Sequence, residues 1–141
     1  MERFLVALLF SAAFFPAVAA RAAGDEEEEA AIKRAAPDYM EGWYEGDVKR
    51  MKRAVHPELA KRRVLPGHLY NLTASRLLEM TRSGGGKDTP EARDRVRVVV
   101  FDVLDDIACA RVESPHFYEY MQLAQIDGEW KIINILWKKN E

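Results

Sequence analysis

The chain has 141 residues, with 21 basic against 23 acidic side chains and a formal charge of −2. That length suits one domain, and a content of 48% hydrophobic and 31% charged residues excludes disorder as a global state. The mild acidity leaves no electrostatic case for a nucleic-acid partner, and a single cysteine, Cys109, excludes an intrachain disulfide.

Residues 4–15 carry no charge after Arg3, and Pro16 then leads into the small-x-small run Ala17-Val18-Ala19, with Ala20-Arg21-Ala22 as a second cleavage pattern. A short apolar run with a small-residue cut site reads as a secretory signal peptide over residues 1–23. A spanning helix needs ~20 apolar residues, so no stable membrane anchor is expected after cleavage. The expected mature domain is 24–141, exported to the periplasm or secreted. It retains 19 basic and 22 acidic residues, a formal charge of about −3.

Acidic residues 25–29 are expected to occupy the first turn of a helix, where the amide dipole favours carboxylates. Ile32, Ala36, Tyr39, Met40 and Trp43 recur at three- and four-residue steps and form one apolar stripe. Pro37 should kink or restart this helix, and Gly46 should stop it. Asp47 then caps a second helix that buries Val48, Met51 and Val55 and turns Lys49, Arg50, Lys52 and Arg53 to solvent. His56-Pro57 is expected to end it, and residues 58–71 read as an irregular connection. Thr73 caps a third helix to about residue 82, with Leu72 and Leu77 placed as a hydrophobic staple. Residues 83–86 form a glycine loop. It is not a phosphate loop, because Asp88 follows Lys87 where Ser or Thr is required.

Four strands follow, over residues 95–103, 107–113, 117–126 and 129–138, with Asp127-Gly128 a strong hairpin turn. Short connections imply an antiparallel meander, and helices before strands imply α+β layering. Cys109, between Ala108 and Ala110, reads as a small buried hydrophobe. In the last strand, strict alternation puts Trp130, Ile132, Asn134 and Leu136 on one face, the one expected to meet the helices. Lys131, Ile133, Ile135 and Trp137 take the other. Both faces are partly apolar, so the outer one needs a partner, and a homodimer through the outer sheet face is the simplest arrangement.

The run from Tyr118-Glu119-Tyr120-Met121-Gln122-Leu123 through Ile126-Asp127-Gly128-Glu129-Trp130 to Trp137 resembles the C-terminal hairpin of the putative lumazine-binding family. That family lies within the nuclear-transport-factor-2-like superfamily beside SnoaL-like proteins. Tyr39-Met40-Glu41-Gly42-Trp43, Gly46-Asp47 and His56-Pro57 are similar to its first two helices. The resemblance spans roughly residues 30–138. It implies a cone-shaped (cystatin-like) α+β fold: three N-terminal helices packed on a curved antiparallel meander sheet, with a pocket at the open end of the cone. The fold hosts both enzymes and binders, so it does not by itself assign a reaction.

Tyr39, Trp43, Tyr118, Tyr120, Gln122 and Asn134 would together line such a pocket with aromatic walls and a few hydrogen-bonding groups. That lining suits a small aromatic or heterocyclic ligand; the other reading is plain core packing. His56 and Asp102 are the acid–base candidates, His56 also reading as a helix-end group that bonds carbonyls. No histidine pair has metal-ligand spacing, and no nucleophile elbow is present, so neither a metal nor a cofactor is expected. The leading reading is an exported binding protein or dimeric interaction module without catalysis. The alternative is a cofactor-independent isomerase or dehydratase that moves a proton with a pocket His, Asp or Tyr.

Overall fold

The computed structural model describes residues 16–87 and 90–140. Most of the proposed leader, residues 1–15, lies outside the described residues. Three helices, α1 (Pro16–Glu45), α2 (Val48–Ala54) and α3 (Ala74–Arg82), accompany six strands. These are β1 (Val55–Leu65), β2 (His68–Thr73), β3 (Arg97–Leu104), β4 (Ile107–Glu113), β5 (Phe117–Ile126) and β6 (Glu129–Lys139), and a 3-10 turn over Pro90–Arg95 precedes β3. No described helix is long and apolar enough to cross a membrane.

The caps fall where the side chains demand them. The Asp47 carboxylate accepts from the amides of Lys49 and Arg50, and the Thr73 hydroxyl accepts from the Arg76 amide, so each supplies donors at a helix start with a partner. The predicted stripe of α1 is also real: Ile32, Ala36, Tyr39 and Met40 are all buried. Two expectations for α1 change. The helix runs on through Pro37 rather than restarting. It also begins at Pro16, so the acidic residues 25–29 lie within it and not in its first turn. The alanine-rich stretch ahead of them favours helix, which extends the element N-terminally.

The basic face of α2 is only partly a free surface. Arg50 bonds Asp38 at 2.9 Å and Glu45 at 3.0 Å, and it also pairs with Glu41. Arg93 reaches Glu45 at 2.8 Å. These ion pairs pin α2 and the 3-10 turn to α1, and they leave Arg50 with no unpaired charge to offer an anion.

The sheet order is β2-β1-β6-β5-β4-β3. The meander β3–β6 is antiparallel as expected. The segment 58–71 is not irregular: β1 and β2 form a hairpin there, and β1 runs parallel to β6, so the sheet is mixed. Pro66-Gly67, inside the stretch expected to be irregular, is the hairpin turn itself. Pro57 lacks an amide hydrogen and lies in the stretch where the β1–β6 pairing shifts register.

Two bulges decide which side chains meet the helices. Gln122 pairs with Asn134 and Leu123 with Ile132, which leaves Ile133 as an extra residue in β6. Val100 pairs with Ala110 and Asp102 with Cys109, which leaves Phe101 extra in β3. An extra residue reverses the facing of everything beyond it. Trp130 and Ile132 therefore point inward, whereas beyond the bulge Ile135 and Trp137 take the inner face, and Asn134 and Leu136 the outer. This corrects the strict alternation expected for the last strand. Cys109 is also corrected: it is exposed on the outer face, while Ala108 and Ala110 are buried.

Candidate functional site

The inner face of the sheet and the helices enclose a cavity of about 300 Å³. Helix α1 contributes Tyr39, Met40 and Trp43, and α3 contributes Leu77 and Met80. Strand β1 contributes Lys61, β5 Phe117 and Glu119, and β6 Trp137. The glycine loop after α3 borders it through Gly85. A side chain there would collide with Trp43: a β-carbon at Gly85 would lie 2.5 Å from the indole ring, and one at Gly86 would lie 2.6 Å from both the ring and the Trp43 carbonyl oxygen. The glycines thus let backbone lie directly on the indole.

A buried polar cluster sits in this apolar wall. Lys61 Nζ donates to Glu119 Oε1 and to the Tyr39 hydroxyl oxygen, each at 2.5 Å. Three rings surround the same ammonium, with centroids at 4.9 Å (Trp137), 5.2 Å (Tyr39) and 5.9 Å (Phe117). Lys61 is 6% exposed and Glu119 1%. Burial raises the Tyr39 phenol well above its ordinary value, and the negative charge of Glu119 adds to that shift. Burial pulls the Lys61 ammonium down, and Glu119 partly offsets the effect.

Among the described residues, two buried polar atoms of this wall have no partner: Glu119 Oε2, an acceptor, and Trp137 Nε1, a donor. Buried polar groups are nearly always paired, so these two are exceptions within the residues that line the cavity. The Tyr39 oxygen accepts from Lys61, and its own hydroxyl hydrogen is directed to the Glu119 carboxylate.

The six predicted pocket residues divide between two faces. Tyr39 and Trp43 line the inner cavity. Tyr120, Gln122 and Asn134 lie instead on the outer face, in a depression of about 660 Å³ shared with Arg62 and Phe101. There the Asn134 amide donates to Gln122 Oε1 at 3.1 Å. Tyr118 also faces outward, edge-on to Tyr120 at 5.6 Å between centroids. The acid–base candidates do not reach the inner cavity. Asp102 is exposed on the outer face. His56 stands at the start of β1, where its Nδ1 accepts from the Glu58 amide at 3.2 Å.

Lys61, Glu119, Phe117 and Trp137 are not among the residues expected to line the site. One signal was present. Phe117, Glu119, Met121 and Leu123 share one phase of β5, so Glu119 is a charged residue in an apolar register. Lys61 likewise follows buried Leu59 by two positions.

The family model described as putative lumazine-binding matches residues 27–138. The chain therefore belongs to that family, as the hairpin resemblance implied. No curated protein sequence matches it. Solved structures share the fold. A nuclear-transport-factor-2-like protein of unknown function from Silicibacter pomeroyi superposes with a TM-score of 0.66 at 18% identity, over 82% of this chain and 98% of that one. One from Shewanella baltica gives 0.66 at 17% identity, over 82% and 95%. A ketosteroid isomerase-like protein from Erwinia carotovora atroseptica gives 0.55 at 17% identity, over 82% and 98%. Identities this low establish the nuclear-transport-factor-2-like fold and nothing about chemistry.

Proposed function

We propose that this protein binds a small, flat aromatic or heterocyclic compound in the inner cavity. The observation that carries the reading is the unpaired acceptor and donor, Glu119 Oε2 and Trp137 Nε1, in a lining that is mostly aromatic and aliphatic but also holds Lys61 and Lys139. A ring with an N–H edge and a carbonyl or ring nitrogen satisfies both atoms while its faces meet Trp43, Phe117 and Trp137. The volume, about 300 Å³, lies at the small end of ligand sites, which run from ~300 to 1,000 Å³. The family's name supplies the first compound to try, lumazine, whose bicyclic ring offers such edges.

The test is thermal unfolding with lumazine and a panel of related heterocycles. A ligand at 100 times its dissociation constant stabilises by about 2.7 kcal/mol, and the increase should vanish in Glu119→Gln and Trp137→Phe. A flat response across the panel in a protein that melts cooperatively would overturn the reading.

A second reading, proton transfer next to a carbonyl, is favoured by the Lys61–Glu119–Tyr39 cluster, since perturbed titratable groups in a cleft are where acid–base chemistry is found. The Erwinia relative's description as ketosteroid isomerase-like is compatible with it. Its test is exchange of an α-proton of a cyclic ketone for deuterium, which binding alone does not accelerate.

Two further elements complete the proposal. Phe101, Tyr120 and Leu136 are about half exposed, at 50%, 49% and 51%, and they form an apolar patch on the outer face that a second copy would cover. Light scattering should then return twice the monomer mass. The leader pattern of residues 1–23 supports export, and N-terminal sequencing of secreted protein should begin near residue 24.

A further inference from the structure

We infer that Lys61 is a carbonyl-reactive amine, and that the inner cavity captures a small aldehyde or ketone with a flat apolar body as an imine on Nζ. This rests on the reading of that cavity as a ligand site, and it adds which atom bonds the ligand and which chemical class it selects.

Lys61 stands apart from the other lysines of the chain. Lys33, Lys49, Lys52, Lys87, Lys138 and Lys139 are exposed, and half-buried Lys131 is tied to Glu129 and to the Arg53 carbonyl. Lys61 alone among them is buried; exposed Lys139 also borders the cavity, but only Lys61 has both a carboxylate and a phenol at 2.5 Å. Imine formation needs those two partners. One must take the ammonium proton to expose the lone pair, and the other must give a proton to the carbonyl oxygen as it gains charge. A purely structural ion pair needs neither the phenol nor the cavity beside it. Burial also works against the ammonium form, which raises the share of nucleophilic amine.

The balance closes without any co-reactant. The Lys61 ammonium passes one proton to Glu119. The free amine then attacks the carbonyl carbon: a C–N bond forms, the C=O π pair moves to oxygen, and that oxygen takes the Tyr39 hydroxyl proton. The carbinolamine nitrogen carries one proton more than the neutral amine product needs and returns it to the Tyr39 oxygen. The nitrogen lone pair next expels the hydroxyl group, which leaves as water with the proton held by Glu119. The product is a protonated imine beside the Glu119 carboxylate. One carbonyl and one ammonium have become one iminium and one water, with no oxidation or reduction. The iminium keeps the positive charge of the ammonium it replaces, so the pairing with Glu119 and with the three rings persists in the adduct.

The test uses the whole protein with benzaldehyde and sodium cyanoborohydride at neutral pH, followed by digestion and mass mapping of every lysine. The expected result is a reduced benzyl adduct on Lys61 that exceeds labelling of any surface lysine by about tenfold or more. Benzyl alcohol, of the same shape without the carbonyl, should compete with it. Tyr39→Phe should slow labelling at Lys61 while leaving surface lysines unchanged, and Lys61→Arg should remove the selective adduct. Labelling spread evenly over the lysines of folded wild-type protein would overturn the inference, whether or not the variants fold. Tryptophan fluorescence with benzyl alcohol separates the two readings. Quenching without an adduct at Lys61 sinks the imine and leaves the binding site standing, whereas neither quenching nor adduct sinks both.

Discussion

The two faces of one sheet carry polar residues under opposite rules. On the inner face, Lys61 and Glu119 are buried and bonded to each other and to Tyr39, so each charge depends on the other for its place in the core. On the outer face, Arg111 lies over Phe101 and Tyr118, at 5.4 and 5.2 Å from the ring centroids, and bonds Glu113 at 2.7 Å; its side chain keeps 22% of its surface exposed and that of Glu113 30%, although the Arg111 Nε is buried without a partner. Both faces combine cations with aromatic rings. They differ in access to water, and that difference sets what a substitution costs and what a ligand can gain.

Breaking the inner pair should cost most. Glu119→Ala leaves a buried ammonium without its counter-charge, and loss of one partner of such a pair costs about 3–5 kcal/mol. Denaturant unfolding reads this directly, and a loss under about 1 kcal/mol would mean that water reaches Lys61 as freely as it reaches the outer face. Gly86→Ala comes next: its β-carbon would meet Trp43 at 2.6 Å, and overpacking of this kind costs about 1–3 kcal/mol. The same variant should weaken any ligand in the inner cavity and leave outer-face association alone.

Alkaline titration sharpens the comparison further. The folded-state Tyr39 value lies well above the ordinary 10.0, so above pH 10 the native state holds a proton that the unfolded chain has released. Stability from this group is full below 10 and is lost as pH rises past it. Tyr39→Phe should therefore fall less steeply than wild type in this range when denaturation midpoints are compared. The smallest effect on the folded subunit is expected from Leu136→Glu, about 0.5 kcal/mol or less for a half-exposed position. The same change should abolish outer-face dimers in light scattering.

Local chemistry explains what was legible and what was not. Asp47 and Thr73 announce their helices because a cap is a contact between near neighbours in sequence, and Asp127-Gly128 announces its hairpin for the same reason. The glycine loop was visible, but its role was not, because Trp43 reaches it from another element. The predicted site mixed residues of both faces. Tyr39 and Trp43 were placed correctly by helical periodicity. Asn134 is placed by an alternation that Ile133 interrupts, and Tyr118, Tyr120 and Gln122, expected in the same pocket, also face outward.

The α+β class, the caps of α2 and α3, the buried stripe of α1, the four-stranded meander and the family are all legible along the chain, since each rests on residues within a few positions of one another or on a contiguous pattern. The tertiary structure alone decided the pairing of β1 with β6, the facing of the strands beyond their bulges, and the union of Lys61 with Glu119 across 58 positions. Register between strands is set by which contacts win across the whole sheet. A single extra residue, invisible as a pattern, exchanges inside for outside.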